Sequence, residues 1–152
     1  MSKTPLSVPY STTLHVRDTC LCLAARRAAR ALARRFDTAL RPLDLTNGQF
    51  SLLMALNRPE PPAMGAVAGL LAMDRTTLTA ALKPLERRGL IATRTDPADR
   101  RSRRLALTAR GEDLLARAVP VWTAAHAALE VELEAAGAPL RASQLEALAT
   151  AS

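Results

Sequence analysis

Two short stretches concentrate donor chemistry. Arg75, Thr76, Thr77, Thr79 and Lys83 lie within one, and Arg100, Arg101 and Arg103 crowd the other, beside Asp99. Guanidinium and ammonium groups donate to phosphates and to the acceptor edges of bases, and small hydroxyls reach either. This is chemistry for recognising a polyanion, not for breaking bonds. No nucleophile–base pair, phosphate-cradling glycine loop or metal constellation accompanies it, so an enzyme is only a remote alternative. His15 and His126 stand far apart, without carboxylates or cysteines at ligand spacing, and neither a metal nor a cofactor is expected.

The first stretch needs a helix to present it. Leu78, Leu82 and Leu85 recur at i, i+4 and i+7, which gives one buried stripe and leaves Arg75, Thr76, Thr79 and Lys83 on the opposite face. Asp74 is the expected N-cap, its carboxylate accepting from the free amides of Thr76 or Thr77, and Gly89 is the expected stop. Pro84 removes one hydrogen bond, at a cost of ~3 kcal/mol, so a kink or a tightened last turn is predicted. Two short strands follow, Leu90–Thr95 and Arg104–Thr108, and the loop DPADRRSR over 96–103 joins them. Its arginines suit the narrow minor groove of duplex DNA. Asp99, two residues before Arg101, is placed to brace that guanidinium in a bidentate pair. A helix-turn-helix followed by an arginine-tipped hairpin is a winged helix-turn-helix.

The composition agrees. The chain has 152 residues, a net charge of +7 and a pI near 10.9. From Asp74 to Arg110 there are ten Lys or Arg against four acids, whereas Gly111 to Ser152 has two Arg against six acids. A basic reading segment followed by an acidic tail implies one directed DNA face rather than a uniformly basic coat. A membrane-surface role is disfavoured, because no helix combines a basic face with large apolar anchors. Apolar residues make up 49% and aromatics only 3%, so Leu, Ala, Val and Met must build the core, which at this alanine content favours helices; with the two strands above, the expected fold is mainly α with a small β-wing. No secretory signal and no membrane span are visible, and two cysteines without such a signal imply a reducing cytoplasm.

Around this module the chain reads as a flexible arm over residues 1–11, then an N-terminal dimerisation segment over 12–44. The winged helix-turn-helix follows over 45–108, and C-terminal dimerisation helices over 109–152. One helix is expected from Thr13 to Leu40, with Leu21, Ala25, Ala28, Leu32, Phe36 and Leu40 on one stripe and Arg26, Arg30 and Arg34 on another. At about 28 residues it spans ~42 Å, too long for so small a domain to cover, and a second copy of the chain is the simplest cover. Thr46 and Gln49 have capping-box spacing for a helix to about Leu56 that turns Phe50, Leu53 and Met54 inward. NRPEPPAM is a rigid connector, and a short helix from Met64 to about Leu71 buries Val67 and Leu70. Thr108 caps a long helix whose Leu115, Val119, Trp122, His126, Leu129 and Leu133 repeat at helical spacing, interrupted at Pro120. A last short helix buries Leu140, Leu145 and Leu148.

LTNGQFSLLMAL over 45–56, MDRTTLTAALKPLERRGLI over 73–91 and DPADRRSRRLALT over 96–108 together resemble the MarR family of bacterial transcriptional regulators. The resemblance implies a homodimer joined by its terminal helices on a palindrome, one reading helix per major groove and one wing arginine per minor groove. By it, Arg75, Thr76, Thr77 and Thr79 face bases or phosphates and Arg101 is the minor-groove arginine braced by Asp99. It also implies a repressor released by a small aromatic or phenolic ligand, bound between the dimer helices and the reading module. Candidates for that site are His15 on the first helix and Trp122, although a tryptophan at this spacing is more often core than a ligand-stacking residue. Cys22, in TCLCLAARRAAR, resembles the peroxide-sensing cysteine of one branch of the family, and Arg26 one turn away is placed to stabilise a thiolate. Redox switching at Cys22 is therefore the alternative trigger. That branch surrounds its cysteine with tyrosines, and this chain has only Tyr10.

Overall fold

A proline starts the first helix earlier than expected. In the computed structural model, which describes residues 7–150, extended Pro9 precedes α1 (Tyr10–Thr19) and its carbonyl accepts the Thr12 amide at 3.0 Å. Of the expected arm over 1–11, residues 1–6 lie outside the described residues, while Tyr10 and Ser11 are helical. The single helix expected over Thr13–Leu40 is two, α1 and α2 (Leu21–Leu40). They part at Cys20, whose ψ of 106° is extended. Cys20 then caps α2, its carbonyl accepting the Ala24 amide at 3.0 Å and its sulfur the Leu23 amide at 3.5 Å. The sulfur occupies the place of an N-cap oxygen, although it is a weaker acceptor.

The chain divides into two compact units between Arg34 and Arg35. In the first, no described residue is buried, and Leu21 is 73% exposed.

The second unit holds the core. Phe36 and Leu40 at the end of α2 are buried, and Pro42 turns the chain through a 3-10 turn, Arg41–Leu43, closed by left-handed Asp44. Thr46 and Gln49 form the expected capping box of α3 (Asn47–Leu56): Gln49 N donates to Thr46 Oγ1 at 3.2 Å, and Thr46 N to Gln49 Oε1 at 3.1 Å. After the connector come α4 (Met64–Leu70) and α5 (Arg75–Arg87). Then β1 (Ile91–Thr95) pairs antiparallel with β2 (Arg103–Leu107), Ile91 opposite Leu107 and Thr95 opposite Arg103. α6 (Ala109–Ala135) and α7 (Ala142–Thr150) complete it. Leu53, Val67, Leu78, Leu85 and Leu105 are fully buried at the centre of one continuous apolar cluster. Each such side chain contributes ~1.5–3 kcal/mol by leaving water.

Both internal prolines are absorbed without ending their helices. Pro84 lies within α5 and Pro120 within α6, so the interruption expected at Pro120 does not occur. Proline deprives the carbonyl four residues earlier of its partner, and those residues, Ala80 and Ala116, are exposed rather than in the core, where an unpaired carbonyl would cost most. The last turn of α5 does tighten, with Gly89 N donating to Glu86 O at 2.9 Å before Gly89 takes φ +68°.

Some expected core positions point outward. Leu70 is 59% exposed, because Leu71, four residues on from Val67, shares its face instead. Met54 is 41% exposed, while Leu52 and Ala55 turn inward beside Phe50 and Leu53. Leu140, Leu145 and Leu148 are exposed rather than buried, because the part of α6 that packs on the core ends at Trp122, far short of α7.

Candidate nucleic-acid interface

Asp74 fixes the start of α5 and with it the first donors of the exposed face. Its Oδ1 accepts the Thr77 amide at 2.8 Å and its Oδ2 the Thr77 hydroxyl at 2.6 Å. The Thr77 hydroxyl bond, then its amide, holds the Asp74 carboxyl below the usual carboxylate range. Arg75, Thr76, Thr77, Thr79 and Lys83 are all exposed, over the buried stripe of Leu78, Leu82 and Leu85. Two of the hydroxyl protons are already committed: Thr77 donates to Asp74 and Thr79 to the Arg75 carbonyl at 2.7 Å. Those two threonines therefore offer an outside partner lone pairs and methyl groups, while Arg75, Thr76 and Lys83 keep their donors.

At the wing, Arg100 and Arg101 are exposed in the loop, whereas the Arg103 guanidinium donates across the ladder to Thr95 Oγ1 at 2.6 Å. Asp99 braces Arg101 differently from the expected ion pair. Its Oδ1 accepts the Arg101 backbone amide at 2.9 Å, because a short carboxylate two residues upstream closes most readily on that N–H. The guanidinium stays available.

The wing also holds two residues that pattern reasoning passed over. Asp96 is buried, accepts the Ala98 amide at 2.9 Å and pairs with Arg104 at 2.8 Å. The Ala98 amide and then Arg104 lower its pKa, against the opposing effect of burial. The ladder register places Arg104 directly opposite Arg94, and like charges across a ladder need an outside partner; alternation along each strand sets the face and not this pairing, so the sequence pattern did not reveal it.

A second feature of this unit is an apolar cavity of about 400 Å³ lined by Phe50, Ser51, Met54, Ala55, Leu70, Leu71, Val119 and Trp122. Trp122 is half-buried, stacks on Phe50 at 5.9 Å and on Phe36 at 6.3 Å, and lies tilted against His126 at 4.9 Å. The other ligand or redox candidates belong to the first unit, where Cys22 and Arg26 are exposed on α2 and His15 is exposed on α1. No group of three or more potential metal ligands occurs among the described residues, and no helix there is long and apolar enough to cross a membrane.

These elements match known proteins. The MarR family profile matches residues 45–102. Transcriptional regulator HosA of Escherichia coli O111:H- is 40% identical over 80 residues, 51% of this chain and 58% of that one. The organic hydroperoxide resistance transcriptional regulator of Bacillus subtilis strain 168 is 30% identical over 101 residues, 66% of this chain and 69% of its own length. The chain belongs to the MarR family. The chain spans only part of several curated relatives that it matches, 58%, 64% and 50% of their lengths.

Among solved structures, the Mycobacterium tuberculosis regulator MosR in complex with DNA is 40% identical, covering 74% of this chain and 81% of that one with a TM-score of 0.68. The repressor CouR bound to a 23-mer DNA duplex is 31% identical, covering 89% and 91% with a TM-score of 0.69. CouR from Rhodococcus jostii RHA1 bound to p-coumaroyl-CoA is 26% identical, covering 72% and 77% with a TM-score of 0.63. The MarR-family match runs from α3 into the wing loop, so it contains Asp74, the exposed donors of α5 and the Asp99–Arg101 turn.

Proposed function

We propose that this MarR-family protein is a sequence-specific DNA-binding transcriptional regulator, a repressor working as a cytoplasmic homodimer on a palindromic operator. The observation that carries the reading is a capped α5 with free, exposed Arg75, Thr76 and Lys83, followed by a wing loop that exposes Arg100 and Arg101 on an Asp99 turn. A helix of this kind fits the ~12 Å wide major groove, and the wing arginines fit the minor groove beside it. In this reading residues 45–108 read DNA, and the segments 12–44 and 109–152 join two copies so that the reading helices lie ~34 Å apart. MosR and CouR, in their DNA-bound structures, support the assignment as relatives.

A small aromatic ligand in the cavity beside Trp122 then releases the operator. The lining supports this: it is apolar, carries the Ser51 hydroxyl as a polar handle, and contains no charged side chain, so it suits an uncharged ring. The p-coumaroyl-CoA bound by CouR offers a precedent for an aromatic ligand in a relative. Oxidation of exposed Cys22 is the second reading, supported by the likeness to the hydroperoxide resistance regulator of Bacillus subtilis.

The test is binding of the purified protein to a labelled fragment of its own upstream DNA, reduced, peroxide-treated and with an uncharged phenol, side by side. Specific binding lost with the phenol supports the ligand reading. Loss with peroxide that is reversed by reductant and absent in Cys22→Ser supports the thiol switch. Arg101→Ala should weaken binding and lower its salt dependence by about one phosphate contact; unchanged binding at every salt concentration would remove Arg101 from its role.

A further inference from the structure

We propose that Asp96 and Arg104 are positioning residues that set the direction in which the wing leaves the reading module, without touching DNA themselves. The inference rests on the wing reading above. Asp96 is 7% exposed, and among the described residues it is the buried charged side chain. Its Oδ1 accepts the Ala98 amide at 2.9 Å, which shapes the start of the loop, and its Oδ2 accepts Arg104 Nε at 2.8 Å. The same guanidinium donates through Nη1 to the Pro61 carbonyl at 2.9 Å. One planar group thus ties the first residue of the loop, the strand β2 and the connector ahead of α4.

The backbone follows the same line. Leu105 N donates to Pro62 O at 3.0 Å, Ala63 forms an isolated bridge with Arg104, and Asp96 N donates to Ser102 O at 3.1 Å to close the base of the loop. Core packing of Leu105 and Ile91 anchors the base of the strands, while the start of the loop is packed less tightly. A cavity of about 440 Å³, lined in part by Glu60, Pro61, Arg94 and Asp96, lies between connector and wing, so directional bonds contribute to fixing their angle there. Arg94 stands opposite Arg104 in the ladder, and the Asp96 carboxylate offsets the repulsion that would otherwise push the strands apart. Lysine cannot replace the fork, because a single ammonium cannot present two donors in the fixed plane that Asp96 and Pro61 define.

Positioning and direct contact predict opposite signs. Asp96→Asn removes a negative charge next to the wing, and plain electrostatics would tighten binding to a polyanion. A lost clamp instead weakens binding to the upstream DNA fragment by about tenfold, with the salt slope unchanged. Arg104→Lys keeps the charge and should weaken binding similarly. Arg104→Gln should do so with an unchanged slope, whereas loss of a phosphate contact would lower the slope by about 0.9. Asp96→Asn combined with Arg104→Gln should cost no more than either alone.

Amide hydrogen exchange gives a second readout that needs no DNA. The Asp96 and Leu105 amides should exchange faster in each variant, while the α5 amides keep their protection. Tight binding by Asp96→Asn, a reduced slope for Arg104→Gln, or unchanged exchange at both amides would overturn the proposal. If the wild-type protein binds no duplex, the functional reading falls and the exchange comparison still decides the clamp. If Asp96→Asn does not fold, Arg104→Lys carries the same comparison.

Discussion

Replacing Gly111 by alanine tests the joint that connects α6 to the reading module. Gly111 is buried in the first turn of α6, and a Cβ there would lie 2.0 Å from the Leu90 carbonyl oxygen and 3.0 Å from its carbon. Both atoms are backbone, so no side-chain rotation relieves the clash. A carbon–oxygen contact of ~3.3 Å requires the two segments to separate by more than ~1 Å. That motion pulls on the bonds of the same junction: Thr108 N to Leu90 O at 3.1 Å, Thr108 Oγ1 to Gly89 O at 2.6 Å, and Gly111 N to Thr108 Oγ1 at 3.1 Å. Overpacking of this kind costs ~1–3 kcal/mol and a weakened N-cap ~1 kcal/mol, together about 2–4 kcal/mol. Urea unfolding at one fixed protein concentration should show it as a midpoint lowered by about 1–2 M. Gly65→Ala is the control, since nothing lies within 4 Å of its Cβ and the α4 helix should gain up to ~1 kcal/mol. A Gly111→Ala protein as stable as the wild type, or one whose midpoint moves the same way as that of Gly65→Ala, would refute the close approach.

Asp74→Ala should lose ~1 kcal/mol of stability with the N-cap and weaken DNA binding as Arg75 and Thr76 fray; a wild-type urea midpoint would refute the cap. Asp74, Asp96 and Glu132 all titrate below their ordinary values of 3.8, 3.8 and 4.5, Glu132 through its hydrogen bonds to Arg35. Lowered folded-state values mean that their stabilisation is complete above the ordinary range and is lost as pH falls through the lowered ones. Unfolding midpoints should therefore decline below about pH 4.5, with a shallower fall in Asp74→Asn, and a midpoint flat to pH 3 would contradict the shifts. Trp122 is the chain's one tryptophan and lines the apolar cavity, so its emission should change on titration with an uncharged phenol and respond less to a benzoate of similar size. Equal responses, or none, would place ligand binding elsewhere.

Local chemistry accounts for what could be read in advance. The caps at Thr46, Asp74 and Thr108, the stop at Gly89 and the stripe of Leu78, Leu82 and Leu85 each depend on residues within one or two helical turns. That is why the reading helix, the wing and the exposed donors of the candidate interface were legible. The break at Cys20 was not, because it depends on a sulfur standing in for a capping oxygen.

The remaining features were decided by partners distant in sequence. Leu70 and Met54 carry apolar side chains at helical spacing, and only the placement of α3, α4 and α6 leaves them on a cavity rim instead of in the core. Arg104 looks like one more wing arginine until the fold brings Pro61, 43 residues away, within reach of its guanidinium. Gly111 looks like an ordinary helix residue until Leu90 is seen to occupy the space of its missing Cβ. Residue order alone was enough for the capped helices α3, α5 and α6, the wing strands and the sign of the exposed face, because those follow from bonds within a turn or two along the chain. Which arginines are free and which are clamped, and where a cavity opens, followed from packing alone, because those depend on how separate segments meet.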